Sequence, residues 1–167
     1  MSTSDLDWLT QVVTERAAGL KLFARQWVDP ATAEDVVQEA LVALLAERQP
    51  PRSPVAWMYR AVRNAAFDHH RASTRRRKRE QVVAAARGAW FEQQSNALLD
   101  AWEVESALQS LGGESRQLVV MRIWGELGFA EIASVLELSV STVHDRYKKA
   151  LCELRSALEQ PCPKKMN

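Results

Sequence analysis

Aromatic, cationic and amide side chains recur at helical spacing between residues 57 and 75. At about 100° per residue, they fall within about 60° of one line along a helix. We call this set the arginine stripe: Trp57, Arg60, Asn64, Asp68, Arg71 and Arg75. Arginines bind phosphates, and asparagine and aspartate hydrogen-bond base edges. The tryptophan either stacks on an unpaired base or covers the hydrophobic core, and the spacing leaves both open. The stripe therefore predicts a surface for nucleic acid.

Basic residues continue beyond the stripe toward residue 80. Residues 60–79 hold eight Arg or Lys and one acid, whereas residues 29–47 hold five acids and no base. The formal net charge of the chain is only +1, so opposite charges are segregated along it. Such segregation favours separate anionic and cationic partners. The run at 75–79 is predicted to contact a nucleic acid backbone, and a solvated helix end is the alternative.

The acidic segment has the pattern of an amphipathic helix that begins at Asp29-Pro30. Aspartate is a good N-cap, and proline suits the first helical position. The apolar residues of its predicted buried face are Val36, Val37, Ala40, Leu41, Leu44 and Leu45. The opposite side carries a set that we call the acidic patch: Glu34, Asp35, Gln38 and Glu39. The patch is a candidate binding surface, although any soluble helix has a polar face.

Residues 129–158 have the pattern of two helices joined by a short turn. Apolar residues at i, i+3, i+4 and i+7 predict a helix from Phe129 to Leu136. Ser139 is a suitable N-cap for the next helix. The predicted inward face of that helix is Val143, Tyr147, Ala150, Leu151 and Leu154, and its outward residues are Ser141, Asp145, Lys148 and Lys149. The pattern predicts a DNA-binding helix-turn-helix, with an ordinary helical hairpin as the alternative.

The elements around these surfaces are predicted to be helices throughout. No proline lies between residues 55 and 160, and no sustained alternation of apolar and polar residues suggests strands. A first helix is expected from Ser4, as N-cap, to Gln26, and its core positions include Leu6, Leu9, Val13, Leu20 and Phe23. Another helix begins after Ser53, with Met58, Ala61, Val62 and Ala65 on its apolar face. A helix from Glu114 to Trp124 should turn four residues inward: Leu118, Val119, Met121 and Ile123. The expected fold is all-α, with two small helical domains at 1–80 and 103–160 and a linker at 81–102.

Several functional classes find no support in the sequence. The longest apolar run, Ala40 to Ala46, is far shorter than a membrane span, and no signal-like segment is present, so a cytoplasmic protein is expected. Cys152 and Cys162 are too few for a disulfide framework or a zinc site. We expect no catalytic residue, metal or cofactor. A nucleic-acid enzyme has only the Asp68-His69-His70 cluster in its favour, and a polar helix segment explains that cluster more simply.

Three stretches in this order resemble bacterial sigma factors of the extracytoplasmic-function type. AEDVVQEALVALL (33–45) resembles the family's polymerase-binding helix. SPVAWMYRAVRNAAFDHHRASTRRRKRE (53–80) resembles the segment that melts and recognises the −10 promoter element. Residues 107–158, including EIASVLELSVSTVHDRYKKAL, resemble the −35-binding domain. Each motif alone is weak evidence for the family, but three motifs in the family's order are specific evidence for it.

The resemblance implies a non-enzymatic initiation factor whose partners are core RNA polymerase, promoter DNA and, in many members, an anti-sigma protein. The acidic patch would bind polymerase. The implied −10 surface adds the loop residues and one further arginine to the stripe: Arg52, Ser53, Trp57, Arg60, Asn64, Asp68, Arg71, Arg75 and Arg76. The implied −35 surface is Ser141, Thr142, His144, Asp145, Arg146, Lys148 and Lys149. Of these, Arg146 lies nearer the buried side, which favours packing or a backbone contact. The rival function is a duplex-DNA regulator that never binds polymerase.

Two positions depart from the family's pattern. Gly112-Gly113 stands where a Leu-Pro helix start is common, so the helix that follows is expected to begin loosely. Glu137 stands where the helix-turn-helix turn usually has glycine. If that position needs a positive φ, the glutamate costs roughly 1 kcal/mol.

Overall fold

The computed structural model describes residues 3–49, 51–80 and 107–159, and the predicted linker at 81–102 lies outside them. Regular structure in the described ranges is entirely α-helical, which confirms the predicted all-α fold. The helices are α1 (Thr3–Ala24), α2 (Pro30–Ala46), α3 (Pro54–Glu80), α4 (Gly113–Ile123), α5 (Phe129–Leu136) and α6 (Val140–Glu159). Residues 107–110 are also helical. None of the helices in these ranges is both long enough and apolar enough to span a membrane.

Helices α1, α2 and α3 pack on one another and form what we call the amino-terminal bundle. Leu20 and Phe23 of α1 are buried, as their spacing predicts. The side chains of the other predicted α1 core residues, Leu6, Leu9 and Val13, lie outside the description. Ser4 is not the N-cap, because α1 already includes Thr3. Capping signals in a sequence locate a helix end only to within a residue or two.

The start of α2 confirms the predicted cap. The Asp29 carboxylate accepts hydrogen bonds from the Thr32 backbone N–H at 3.1 Å and the Thr32 hydroxyl at 2.7 Å, and these bonds lower the pKa of Asp29. Pro30 occupies the first turn, where its missing N–H costs nothing. The buried face of α2 consists of Ala33, Val36, Val37, Ala40 and Leu44. The opposite face is therefore left to the polar residues of the acidic patch.

Helix α3 supplies a large aromatic residue to the core that the sequence analysis does not single out. Tyr59 is fully buried, beside the expected Met58 and Val62. Its ring lies 5.0 Å from the Phe23 ring at an interplanar angle of 75°, an edge-to-face contact. Burial raises the pKa of Tyr59 well above its usual value. Tyr59 thereby joins α1 to α3 at the centre of the amino-terminal bundle.

Helices α4 to α6, with residues 107–110, form what we call the carboxy-terminal bundle. Gly112 makes no side-chain cap, which is consistent with the loose start expected for α4. The Arg116 guanidinium secures that end by donating to the carbonyls of Leu108, Gln109 and Leu111 at 2.8 to 2.9 Å. Leu118, Val119 and Met121 are buried, as expected. The prediction that Ile123 turns inward is wrong: it is 47% exposed, because α4 ends there and the chain turns away.

The helix-turn-helix has the predicted bounds and cap. Glu137 ends α5 with φ 58° and ψ 42°, the left-handed conformation expected of a glycine position. The Ser139 hydroxyl accepts the Thr142 backbone N–H at 3.1 Å and so caps α6. Val143 and Ala150 are buried. The expected inward position of Leu151 is wrong, since 39% of it is exposed.

The two bundles share one apolar core in the described residues. A single cluster of buried side chains runs from Leu20, Phe23 and Tyr59 to Met121 and Ile132. Helix α3 contacts α5, and α1 contacts α4. Trp124, in the turn after α4, packs against this cluster and against the smaller core of the carboxy-terminal bundle. Helices α2 and α3 therefore contact each other directly, and α6 is joined to them through α4 and α5.

Candidate nucleic-acid and protein-binding surfaces

The acidic patch on α2 is a continuous exposed surface. All four of its residues are exposed. The Glu34 carboxylate forms an ion pair with the Lys21 ammonium, which neutralises part of its charge. Val42 is 67% exposed and lies one and two helical turns from Gln38 and Asp35. The sequence analysis misses Val42, although its i+4 and i+7 spacing to these two residues is the signal that could have found it.

The arginine stripe lies along α3 as predicted, and Trp57 is its one member that is not exposed. Asn64, Asp68, Arg71 and Arg75 are exposed, and so is the neighbouring Arg76. At the amino-terminal end, Trp57 is half-buried against the hydrophobic core. The structure thus favours the core-covering role for Trp57 in this conformation. The carboxy-terminal part of the stripe, from Asn64 to Arg75, presents an amide, a carboxylate and guanidinium groups to solvent.

Residues at the start of α3 contact the carboxy-terminal bundle. The Ser53 hydroxyl donates to Glu131 Oε1 at 2.5 Å and accepts the Ala56 backbone N–H at 3.4 Å. The Arg60 guanidinium donates to the Ser134 backbone carbonyl. Arg52, in the preceding loop, is exposed. The candidate −10 residues are therefore together on one element, but two of them already have partners on α5.

The Asp68-His69-His70 cluster has a structural explanation. His70 Nδ1 lies 3.1 Å from the Trp27 backbone oxygen and links α3 to the segment between α1 and α2. The Trp27 ring lies 4.9 Å from the Phe67 ring, so the same junction is also packed by aromatic side chains. Among the described residues, no group of three metal-ligating side chains converges. Within the cluster, His70 is therefore part of a helix junction, while Asp68 and His69 are exposed.

The outer face of α6 presents most of the candidate −35 residues to solvent. Ser141, His144, Asp145, Lys148 and Lys149 are exposed. Thr142 is half-buried, and its hydroxyl lies 2.7 Å from that of the cap residue Ser139. Arg146 forms an ion pair with Glu114 at 2.5 Å and so joins α6 to α4. The expectation of a packing role for Arg146 agrees with this contact.

Phe129 packs against α6, a contact that its place in the helix-turn-helix pattern does not predict. Its ring meets the His144 ring at 5.3 Å and the Tyr147 ring at 5.5 Å, both edge-to-face. The Arg122 guanidinium lies 5.1 Å from the Phe129 ring centroid and donates to the Leu127 carbonyl at 2.8 Å. These contacts set the orientation of α6 relative to α5. His144 is consequently held by a ring contact at the edge of the exposed face.

Two family models match this chain. The model described as Sigma-70 region 2 matches residues 9–76, which include the acidic patch and the whole arginine stripe. The model described as Sigma-70, region 4 matches residues 101–154, which include the helix-turn-helix. The two matches lie in the order expected from the sequence motifs.

Curated relatives match over most of their length. The ECF RNA polymerase sigma factor SigL of Mycobacterium tuberculosis is 32% identical over 157 residues, which cover 87% of this chain and 86% of the relative. The RNA polymerase sigma factor CnrH of Cupriavidus metallidurans is 30% identical over 163 residues, 89% of this chain and 85% of the relative. The RNA polymerase sigma-E factor of Streptomyces antibioticus is 29% identical over 134 residues, covering 78% and 73%.

Solved structures share the fold. A co-crystal structure of the sigma factor RpoE with the anti-sigma factor NepR from Bartonella quintana matches with a TM-score of 0.72 at 19% identity, covering 95% of this chain and 98% of the other. CnrH in complex with the cytosolic domain of CnrY matches with a TM-score of 0.60 at 28% identity, covering 90% and 87%.

Proposed function

Because the chain belongs to the extracytoplasmic-function sigma factors of the sigma-70 family, we propose a separate task in transcription initiation for each of its three exposed surfaces. A sigma factor directs core RNA polymerase to promoters. The acidic patch binds core polymerase, the arginine stripe binds the −10 element, and α6 binds the −35 element. This division rests on one observation: the acidic patch, the part of the arginine stripe from Asn64 to Arg75 and the outer face of α6 are all exposed in the same structure.

The acidic patch suits a basic protein surface with an apolar centre. Asp35 and Glu39 supply negative charge, and Val42 supplies an exposed apolar contact on the same side of α2. Charge complementarity speeds encounter and sets orientation, while apolar burial adds affinity. This combination supports a docking role for the patch on core polymerase.

The arginine stripe combines groups for two kinds of contact with the −10 strand. Asn64 and Asp68 offer hydrogen-bonding groups to base edges, and Arg71 and Arg76 offer cations to phosphates. Extruding a base from duplex DNA costs a few kcal/mol in lost stacking and pairing. Contacts that form only with the extruded base offset that cost and make melting depend on sequence.

The face of α6 suits the major groove of duplex DNA. Its exposed centre carries Ser141, Asp145 and Lys148, while Arg146 and Glu114 hold the helix to α4. Binding the −10 and −35 elements through one chain makes the second contact intramolecular, which raises its effective concentration. Neither surface alone must supply the affinity for the promoter. We propose no chemical step for the chain itself, since the polymerase performs the synthesis.

The proposal also covers a regulatory partner of the protein and the compartment in which it acts. RpoE is seen in complex with the anti-sigma factor NepR, and CnrH in complex with the cytosolic domain of CnrY. We propose by similarity that an anti-sigma protein restrains this chain too, and that it acts in the cytoplasm, where core polymerase works.

The test is transcription in vitro with core polymerase and DNA from the protein's own genome, followed by mapping of the start sites. Added wild-type protein should produce transcripts from defined starts that core polymerase alone does not make. Asp35→Lys should reduce both these transcripts and co-elution with core polymerase by at least about tenfold, as expected when a charged interface contact worth more than 1.4 kcal/mol is reversed. Glu47→Lys is the matched control, because Glu47 is an exposed acid at the C-cap of α2, outside the patch.

Co-elution separates a sigma factor from a regulator that acts on duplex DNA alone. A protein that binds DNA but never co-elutes with core polymerase, and whose Asp35→Lys variant behaves like the wild type, would refute the proposed docking.

A further inference from the structure

An acid lies in the middle of the face of α6 that is proposed to meet DNA. Asp145 is in the second turn of the helix, which begins at Val140, and it is exposed. Val143 and Ala150 are buried, and at about 100° per residue Asp145 points about 140–160° away from both of them. Its carboxylate therefore faces whatever ligand covers the exposed side of α6.

The neighbouring cations do not neutralise Asp145. The Arg146 guanidinium binds Glu114 of α4, and Lys149 Nζ lies 3.9 Å from Glu153 Oε1. Within the part of the chain that the structure describes, the Asp145 carboxylate forms neither a hydrogen bond nor an ion pair. Both of its oxygens are therefore available to a donor from outside this part of the chain.

The hydroxyl groups at the start of α6 are already engaged with one another. Ser139 Oγ lies 2.9 Å from the Ser141 hydroxyl and 2.7 Å from the Thr142 hydroxyl. These three side chains share hydrogen bonds around the helix cap. Of these three and Asp145, it is Asp145 that keeps its full accepting capacity for a ligand.

A carboxylate that faces DNA opposes binding unless it accepts a hydrogen bond from a base. Phosphates repel it, whereas the amino-terminal part of a recognition helix lies against base edges in the major groove. The donors there are the amino groups of cytosine and adenine. Adenine has an acceptor nitrogen beside its amino group, which suits an amide and repels a carboxylate, and guanine and thymine present acceptors. Cytosine is therefore the base that a carboxylate at this position favours.

We propose that Asp145 reads a cytosine of the −35 element by accepting a hydrogen bond from the 4-amino group of that base. This inference rests on the proposed binding of α6 to the −35 element. It adds the identity of one base pair, C·G, and the side chain that selects it.

Two lysines next to Asp145 complete the arrangement. Lys148 and Lys149 follow it at i+3 and i+4, so the three side chains are neighbours on the helix surface, and both lysines are exposed. Lysine contacts with phosphates position a helix without reading sequence, whereas a contact with a base edge specifies sequence. The acid weakens binding to DNA in general and strengthens it where a cytosine is in reach. Asp145 thereby raises discrimination in two ways.

The first experiment measures binding of the full chain to a −35 duplex from a mapped promoter by fluorescence anisotropy, with each base pair replaced in turn. Wild type should lose about 5- to 150-fold in affinity when one particular C·G pair is replaced, which is the range for a mismatched pair. Asp145→Ala should lose discrimination at that pair and keep it at the other pairs. Discrimination that the variant retains at every pair would overturn the inference, and so would a loss confined to an A·T pair.

Cytosine methylated on its 4-amino group tests the donor in the unaltered protein. This base still pairs with guanine, but the methyl group replaces the amino hydrogen that faces the major groove. At the C·G pair found by the scan, methylation should weaken wild-type binding about fivefold or more. It should change the affinity of Asp145→Ala by less than about twofold. Equal affinity of the wild type for the methylated and unmethylated duplexes would refute the proposed contact.

A random duplex distinguishes a base-reading acid from an ordinary surface charge. Asp145→Ala should bind the random duplex about two- to fivefold more tightly, because a charge that repels phosphates is lost. Its ratio of −35 affinity to random affinity should fall about 5- to 150-fold. Glu153→Ala is the matched control, because Glu153 is another exposed acid of α6 and its loss should leave this ratio unchanged. An unchanged ratio for Asp145→Ala would mean that Asp145 is only a surface charge.

Failure of the proposed function would give a different result. Wild type would then bind the −35 duplex no more tightly than the random duplex, and no single base pair would alter its affinity. If the inference alone is wrong, wild type keeps its sequence preference, and Asp145→Ala has the same preference.

Discussion

Lys148 and Lys149 lie next to each other on the exposed face of α6, and replacing both by alanine tests how the carboxy-terminal bundle binds duplex DNA. Lys149 has a nearby acid, with Nζ 3.9 Å from Glu153 Oε1, but 77% of its side chain is exposed. An exposed ion pair of this kind contributes about 0–1 kcal/mol. Glu153 therefore competes only weakly with a DNA phosphate for Lys149.

The expected effect is a change in salt dependence. Each lost phosphate contact lowers the slope of log affinity against log salt by about 0.9 on duplex DNA. Lys148→Ala/Lys149→Ala should therefore lower the slope by about 1.8. Between about 50 and 200 mM salt, wild-type affinity should then fall about tenfold more than that of the double variant.

Fluorescence anisotropy of a labelled −35 duplex, titrated at several salt concentrations, measures this slope. Lys21→Ala is the control, because it removes one lysine charge from α1, away from α6, where Lys21 pairs with Glu34. The control should keep the wild-type slope. If the double variant also keeps it, the face of α6 does not meet the phosphate backbone, and the orientation inferred for the recognition helix is refuted.

Three further predictions concern single positions. Asn64→Ala should change by about 1–3 kcal/mol the preference among −10 oligonucleotides that differ at one base, because an amide contacts base edges. General DNA affinity should change less. Equal losses of affinity on all oligonucleotides would contradict this prediction. Glu137→Gly should raise the melting temperature by about 2–4 °C, since glycine relieves roughly 1 kcal/mol of strain at φ 58°; a lower melting temperature would show that the side chain outweighs the strain. Asp29→Ala should lower the free energy of unfolding by about 1 kcal/mol. The pKa of Asp29 is lowered in the fold. The stabilisation by the Asp29 carboxylate is therefore fully present above its unfolded pKa near 4 and is lost as the pH falls through its folded pKa. Unfolding curves of the wild type and of Asp29→Ala at several pH values measure this dependence.

Local features of the fold were predictable because they depend on neighbouring residues. The Asp29 cap and the Ser139 cap need only a side-chain oxygen and an N–H three residues later. The left-handed conformation of Glu137 was expected only through the resemblance to the family, which usually has glycine at this position of the turn. The errors at Ile123 and Leu151 have one cause. Periodicity gives the direction of a side chain but not the presence of another element to cover it.

The arginine stripe has features that helical spacing could not predict. Its spacing placed Asn64, Asp68 and Arg71 on one exposed line, but it left two roles open for Trp57 and gave no sign of a partner for Arg60. That partner, Ser134, is 74 positions away in the sequence. Tyr59 is likewise buried because α1, α3 and the turn after α4 meet around it.

The sequence by itself determined the helices, most of their caps and the three charged or polar faces, since these follow from the rotation per residue and from bonds within one turn. Only the tertiary structure decided that the two bundles share a core, that Trp124 packs between them, and that Ser53 and Arg60 are held by α5. These facts depend on surfaces meeting across 74 or more positions of chain. The fit of one surface to another is a property of packed volumes, which helical periodicity does not encode.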